Sequence, residues 1–203
     1  MTNRPRHRHT EDHHDWHSAA YVDDWISTDA THDDDRRPLI ERMLGLAGLS
    51  SDAVLNVLDV GGGYGVVSGV VLRALPNASV TLQDYSEAML AQARGRLAAY
   101  AGRVRYELRD FTEPGWAEGL GGPFDLAVSA IAVHNLGPDG AIPVVYRGVC
   151  EMLKPGASFL NLDFPQFAGG LERHLGWLLE AGFARAERAW EVGIQSAMAA
   201  YKG

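Results

Sequence analysis

The segment Val57-Leu58-Asp59-Val60-Gly61-Gly62-Gly63-Tyr64-Gly65 constrains this chain most, because an apolar run ends in a glycine turn that feeds directly into an apolar-periodic stretch. The pattern predicts a strand, a tight turn and a helix. Glycine admits positive φ and lets a ligand approach the backbone with no Cβ in the way, while the helix start offers unpaired N–H groups. A nucleotide-like ligand is the first expectation. Glycine spacing alone does not choose among nicotinamide, flavin and adenosylmethionine, nor between ligand binding and packing.

The rest of the chain supplies the context. Apolar strand candidates at 54–60, 79–83, 103–108, 124–130 and 157–163 alternate with helical patterns near 64–75, 86–99, 139–153 and 169–181. Two further strands, 184–192 and 194–201, meet at Gly193 with no helix between them. The prediction is an α/β fold: a doubly wound, mostly parallel seven-stranded sheet with a C-terminal antiparallel hairpin and helices on both faces. Sheets of this kind bind beyond the carboxyl ends of their strands, where Gly61, Asp84, Asp110 and Ser129 fall. Asp84, which follows the second strand, stands where doubly wound folds place an acid for ribose hydroxyls. The alternative for Asp84 is a cap on the helix that begins near Ser86.

These residues carry a family resemblance. Leu58-Asp59-Val60-Gly61-Gly62-Gly63-Tyr64-Gly65 resembles the acid-x-Gly-x-Gly-x-Gly motif of class I, Rossmann-like S-adenosylmethionine-dependent methyltransferases. Asp84-Tyr85-Ser86 is similar to the second motif and Arg109-Asp110-Phe111 to the third, where the family sets an acid near the adenine amino group. Phe124-Asp125-Leu126-Ala127-Val128-Ser129 is similar to the fourth strand. Met152-Leu153-Lys154-Pro155-Gly156 resembles the entry to the fifth strand, with Ala157 in place of the family's second glycine. The resemblance spans roughly residues 50–203 and implies S-adenosyl-L-methionine as cofactor and a small molecule as methyl acceptor. It implies cofactor contacts from Asp59, Gly61, Gly63, Asp84, Tyr85, Asp110, Phe111 and Ser129, with Asp59 meeting the ammonium directly or through water.

Composition narrows the partners. In the 203 residues the formal charge is −8, which opposes a polyanionic partner, because phosphate-binding surfaces collect lysine and arginine. No nucleic acid is expected. No apolar run approaches the roughly 18 residues of a membrane span, and the amino terminus lacks an apolar signal, so no membrane association and a cytoplasmic location are expected. The single cysteine, Cys150, reads as a small buried residue rather than a nucleophile. A homodimer is left open.

The chain divides into a histidine-rich tail over 1–14, expected to be disordered, a helical cap segment over 15–50, and the methyltransferase-like domain over 51–203. His7, His9, His13, His14, His17 and His32 invite a metal reading, but a tract without cysteine partners fails to fix tetrahedral geometry, so no metal is expected. From Trp16 the apolar residues Ala19, Ala20, Val22, Trp25 and Ile26 fall near helical spacing, and Trp16, Tyr21 and Trp25 either cover a bound cofactor or pack as core. Asp33-Asp34-Asp35-Arg36-Arg37-Pro38 reads as a helix start with proline just inside, its helix turning Leu39, Ile40, Met43, Leu44 and Ala47 inward.

The chemistry follows from the implied cofactor. Methyl transfer from a sulfonium is an in-line displacement helped mainly by positioning, but an acceptor hydroxyl or ammonium must lose a proton. His134, in Ala132-Val133-His134-Asn135-Leu136 after the fourth strand, is the candidate general base, and Asp163 is the second. Phe164 and Phe167 in the short following segment suggest an apolar or aromatic acceptor, methylated on oxygen or nitrogen rather than carbon. Two other readings stay open: a nicotinamide-dependent oxidoreductase, and an adenosylmethionine-binding regulator without catalysis.

Overall fold

A computed structural model of the chain describes residues 14–137 and 141–203; positions 1–13 of the histidine-rich tail, and 139–140 at the start of one predicted helix, lie outside the described residues. The strands are β1 Asn56–Val60, β2 Ser79–Asp84, β3 Val104–Leu108, β4 Phe124–Ala130, β5 Leu153–Asp163, β6 Arg185–Val192 and β7 Gln195–Tyr201. The helices are α1 Ala19–Asp29, α2 Asp33–Leu44, α3 Val66–Ala74, α4 Glu87–Arg96, α5 Ile142–Met152 and α6 Leu171–Glu180. All seven strands form one sheet in the order β3-β2-β1-β4-β5-β7-β6. The first five pair in parallel, and β7 lies antiparallel to both β5 and β6.

The sheet winds outward from β1 in both directions, which opens a crevice between the carboxyl ends of β1 and β4. Central strands are apolar on both faces because both are covered. Val57 faces a core shared with α2, α3 and α4, while Leu58 and Val60 face the core under α5 and α6. The edge strand β3 carries Arg105 and Glu107, and β6 carries Arg185, Glu187, Arg188 and Glu191, charges that discourage further strand pairing.

Several boundaries differ from the sequence expectation for identifiable reasons. The strand β1 starts at Asn56, leaving Val54 exposed, and α3 starts at Val66 because Gly61 and Gly65 hold positive φ inside the turn. The strand β5 starts at Leu153 rather than 157, since Leu153 already pairs with Phe124 before the Pro-Gly segment bulges out and pairing resumes at Ser158. The helix α1, a 3₁₀ turn and α2 run on without a loop, so Pro38 lies in the second turn of α2, deeper than expected. Its missing N–H leaves the Asp34 carbonyl at the exposed helix start, where water can serve it. Ile40 and Met43 are buried, and Leu39, Leu44 and Ala47 pack beside them.

Long-range cations close two helix ends. Arg103 donates to the carbonyl of Leu72 in the last turn of α3 and to those of Leu75, Pro76 and Ala78 beyond it, and Lys202 Nζ donates to Cys150 and Leu153 at the end of α5, each at 2.7 Å for the lysine. Both place positive charge where helix carbonyls lack partners. Gly148 in α5 makes room for Trp116, whose Nε1 would lie 2.6 Å from a Cβ at that position. Alanine is favoured over glycine in a helix by about 0.8–1.0 kcal/mol, but overpacking a rigid, buried ring costs about 1–3 kcal/mol. Gly148→Ala is therefore expected to lower stability despite its propensity gain, as measured by a reduced urea midpoint.

Candidate functional site

Three loops converge at the crevice, and Gly61 is where they touch. At φ 64° it turns the chain out of β1, and a Cβ there would lie 2.7 Å from Ala132 Cβ and 3.3 Å from Phe111 Cε1. The turn after β1 is thus held against both the loop after β3 and the loop that carries His134. Gly63, at φ 52°, is open on its outer side, with nothing nearer a built Cβ than Met89 Sδ at 4.0 Å.

Buried polar groups fix the turn from beneath. Gly61 N–H donates to Gln83 Oε1 at 3.0 Å, Gly62 N–H to the Gln83 carbonyl at 2.9 Å, and Gly63 N–H to Asp84 Oδ2 at 2.9 Å. Gln83 Nε2 donates in turn to the Arg109 carbonyl at 2.6 Å, tying β2 to the loop after β3. Sequence reasoning passed over Gln83; its signal was a polar residue in the apolar run Val80-Thr81-Leu82, next to Asp84. Asp84 Oδ1 also receives Ser86 N–H at 2.9 Å, and Ser86 itself caps α4 through Met89 N–H. Asp84 is thus not the helix cap, and burial raises its pKa against the pull of those N–H groups.

Asp59 is fully buried under the same turn. Its Oδ2 receives Ser68 N–H at 3.0 Å and the Ser68 hydroxyl at 2.6 Å, while Oδ1 has no partner among the described residues. Burial pushes the carboxyl up to about 7, the Ser68 bonds oppose the shift, and the charge of Asp84 adds to it. Asp110 folds Oδ1 back onto Thr112 N–H at 2.8 Å and its hydroxyl at 2.6 Å. Tyr85 is pushed up to about 12, first by burial and then by Asp84 and Asp110. Ser129 is enclosed, its hydroxyl donating to the Val60 carbonyl at 2.9 Å, so its contribution is to bind the ends of β1 and β4 together.

The amino-terminal segment packs over this half. The Ser86 hydroxyl donates to the Trp16 carbonyl, and the His17 ring stands edge-on to Tyr85 with centroids 5.2 Å apart. Trp16 and Trp25 contact each other edge to face, and Trp25 reaches Tyr64 in the glycine turn. The Tyr64 hydroxyl lies 3.0 Å from Asp29 and 2.8 Å from Asp33, which anchors the junction of α1 and α2 to the turn.

The other half of the crevice is built from 3₁₀ turns. After β4, Ile131 sits at φ 55°, an unfavourable conformation for a β-branched residue, and the chain enters the turn Val133–Leu136 that carries His134. His134 Nδ1 lies 2.6 Å from Asp163 Oδ1, and the His134 backbone N–H donates to Asp163 Oδ2 at 3.1 Å. A carboxylate accepts, so Nδ1 carries the proton and Nε2 is left as the basic atom. Asp163 is fully buried at the end of β5 and also receives Phe164 N–H at 2.9 Å. The Phe164 and Phe167 rings stand 5.3 and 6.4 Å from the imidazole. The two sequence candidates for proton transfer are therefore one hydrogen-bonded pair.

A doubly wound sheet with a glycine turn, three acids on one side of its crevice and a histidine–carboxylate pair on the other suits a nucleoside-bearing ligand beside a proton-accepting group. Residues 57–156 match the family described as methyltransferase domain. A release factor glutamine methyltransferase from Deinococcus radiodurans is 31% identical over 168 residues, 66% of this chain and 58% of that protein. A demethylmenaquinone methyltransferase from Leptospira interrogans is 39% identical over 116 residues, 54% of this chain and 43% of that protein. Among solved structures, an O-methyltransferase family protein from Burkholderia thailandensis has a TM-score of 0.74 at 18% identity, with 92% of this chain and 61% of that one covered. The chain spans less than two thirds of the length of each of these. The family match thus covers just under half of the chain, and the sheet with its terminal antiparallel pair has the class I methyltransferase fold of that solved structure. No helix among the described residues is long and apolar enough to cross a membrane.

Asp59 yields a sign for pH dependence. Its folded-state pKa of about 7 exceeds the ordinary 3.8, so the native state binds the extra proton and stability falls as pH rises across that window. Asp84 is shifted in the same direction. Asp59→Asn is expected to remove much of this decline, making the variant more stable than the parent above the window, as read from urea unfolding at a series of pH values.

Proposed function

We propose that this chain is a methyltransferase that moves the methyl group of S-adenosyl-L-methionine to an oxygen of a small aromatic acceptor. The observation that carries this reading is the 2.6 Å contact between His134 Nδ1 and the buried Asp163, with the Phe164 and Phe167 rings beside the imidazole. Human N-acetylserotonin methyltransferase in complex with SAM supports it as a structural neighbour, with a TM-score of 0.70 at 16% identity, covering 93% of this chain and 57% of that one.

The donor side fits the cofactor by its own chemistry. Asp59 Oδ1 is a buried acceptor without a donor, suited to an ammonium directly or through a water, and the glycine turn is open at Gly63. Asp84 keeps lone pairs for ribose hydroxyls, and Asp110 keeps Oδ2 for an adenine amino group, with Tyr85 and Phe111 beside it. The segment 15–50 serves as a cap through Trp16 and His17. When bound, the cofactor supplies an electrophilic methyl group on a sulfonium. Gly61, through its contact with Ala132, keeps the donor loop next to the base loop, a proximity effect worth up to roughly 7–11 kcal/mol.

His134 Nε2 takes the proton of the acceptor hydroxyl. Asp163 holds the tautomer that makes Nε2 basic and stabilises the imidazolium that forms. A phenolic hydroxyl, with an ordinary pKa of about 10, needs such a base near neutral pH more than a neutral amine does, and this favours oxygen. Phe164 and Phe167 provide the flat apolar surface for the acceptor ring.

Two measurements test the assignment. Calorimetric titration should show binding of adenosylmethionine and adenosylhomocysteine and none of reduced nicotinamides; binding of nicotinamides alone would refute the donor. Asp84→Asn, which keeps one acceptor for the loop N–H groups, is expected to weaken adenosylhomocysteine by more than about 1.4 kcal/mol, a factor of ten, because charge-assisted hydrogen bonds are lost. His134→Ala should leave that affinity unchanged and slow turnover by about 10²–10⁴ with any acceptor found by screening hydroxyaryl compounds. Loss of affinity and turnover together would refute the base role.

A further inference from the structure

Two fully buried polar side chains behind the acceptor half take no part in the donor site or the His134–Asp163 pair. Tyr146 on α5 and His174 on α6 meet across the helix pair, with the Tyr146 hydroxyl 2.6 Å from His174 Nδ1. On its other side His174 Nε2 lies 3.0 Å from the Ala168 carbonyl. A carbonyl only accepts, so Nε2 carries the proton and Nδ1 receives the Tyr146 hydroxyl, which defines a neutral imidazole with both nitrogens used. Burial lowers the His174 pKa and raises that of Tyr146, keeping both groups in the uncharged forms this chain of bonds requires.

Ala168 closes the 3₁₀ turn Pro165–Ala168, which follows Phe164 and carries Phe167. Outside its own helical bonds the turn is closed by Phe167 N–H to the Phe164 carbonyl at 3.1 Å and by Gly169 and Gly170 N–H to the Pro165 carbonyl, the latter at 2.8 Å. The bond from His174 gives the buried Ala168 carbonyl a partner and ties the turn to α6. The two acceptor-side turns are thus each held by a buried side chain, the first by Asp163 and the second by His174.

We propose that His174, oriented by Tyr146, is a positioning residue for the acceptor, fixing the Pro165–Ala168 turn and with it the placement of Phe164 and Phe167 against His134. Its consequence for acceptor choice rests on the reading of His134 as the base; the placement itself does not. Loosening this anchor changes which acceptor ring fits beside Nε2 and leaves the donor side as it is, because no link of the chain reaches the glycine turn.

The test needs no acceptor. The ring-proton resonances of His134 report the shielding by Phe164 and Phe167 and are followed by histidine-selective NMR on the full chain, with adenosylhomocysteine affinity measured by calorimetry on the same samples. In His174→Gln the amide nitrogen stands near the place of Nε2 and can still donate to Ala168, so the His134 resonances are expected to stay near those of the parent. In His174→Leu that donor is lost, and the resonances are expected to shift while adenosylhomocysteine affinity is retained. If the leucine variant does not fold, Tyr146→Phe, which removes the group that orients His174, takes its place with the same expected shift. Unchanged His134 resonances in the folded variant would overturn the proposal, as would equal shifts in the glutamine and leucine variants, which would trace the effect to packing alone. Failure of the parent to bind adenosylhomocysteine would count against the donor assignment and not against this one, which is judged on the His134 resonances.

Discussion

The missing side chain of Gly61 is the constraint on which the rest of the site depends. With a would-be Cβ only 2.7 Å from Ala132 Cβ, the turn after β1 and the loop after β4 are at van der Waals contact, and any larger residue would drive them apart. This contact brings the two halves of the crevice together at the point where the sheet changes direction. Ser129 reinforces it one step deeper by joining β4 to the Val60 carbonyl at 2.9 Å. On the proposed reading, a shift of about 1 Å between donor and acceptor is enough to lose much of a proximity effect, so rigidity here would bear directly on rate.

The donor half carries a stability penalty in exchange for this arrangement. Asp59 and Asp84 are both buried under one turn, and each is shifted toward its protonated form, principally by burial. Gly63 N–H engages Asp84, and Ser68 engages one oxygen of Asp59. The remaining oxygen of Asp59 meets no donor among the described residues, an unfavourable state that a cationic group would relieve. A ligand carrying an ammonium would thus stabilise the fold as it binds, which links occupancy to stability.

The legibility of the sequence follows the physical origin of each element. Strand β1, its glycine turn and α3 were readable because local rules act on contiguous residues: apolar runs, positive-φ positions and a helix start. The terminal hairpin was readable from two strand patterns meeting at Gly193, and the sheet order bears it out. The early start of β5 was hidden because pairing of Leu153 with Phe124 across a bulge has no local signature. Pro38 misled for a related reason, since the chain was already helical when α2 began. In the site, Asp84 and Asp110 could be placed from strand ends, but Gln83 could not, because its bonds to Gly61 and Arg109 depend on tertiary packing. His134 and Asp163 were found separately, and only the fold, at a separation of 29 residues, shows them as a pair.

That difference maps onto the two halves of the crevice. The residues proposed for the donor sit at the ends of parallel strands, where the sheet itself fixes position and the sequence pattern announces it. The residues proposed for the acceptor sit on or beside two 3₁₀ turns, Val133–Leu136 and Pro165–Ala168, which Asp163 and His174 contact from elsewhere in the chain. Such turns hold few backbone bonds of their own, so substitutions there change their shape without disturbing the sheet.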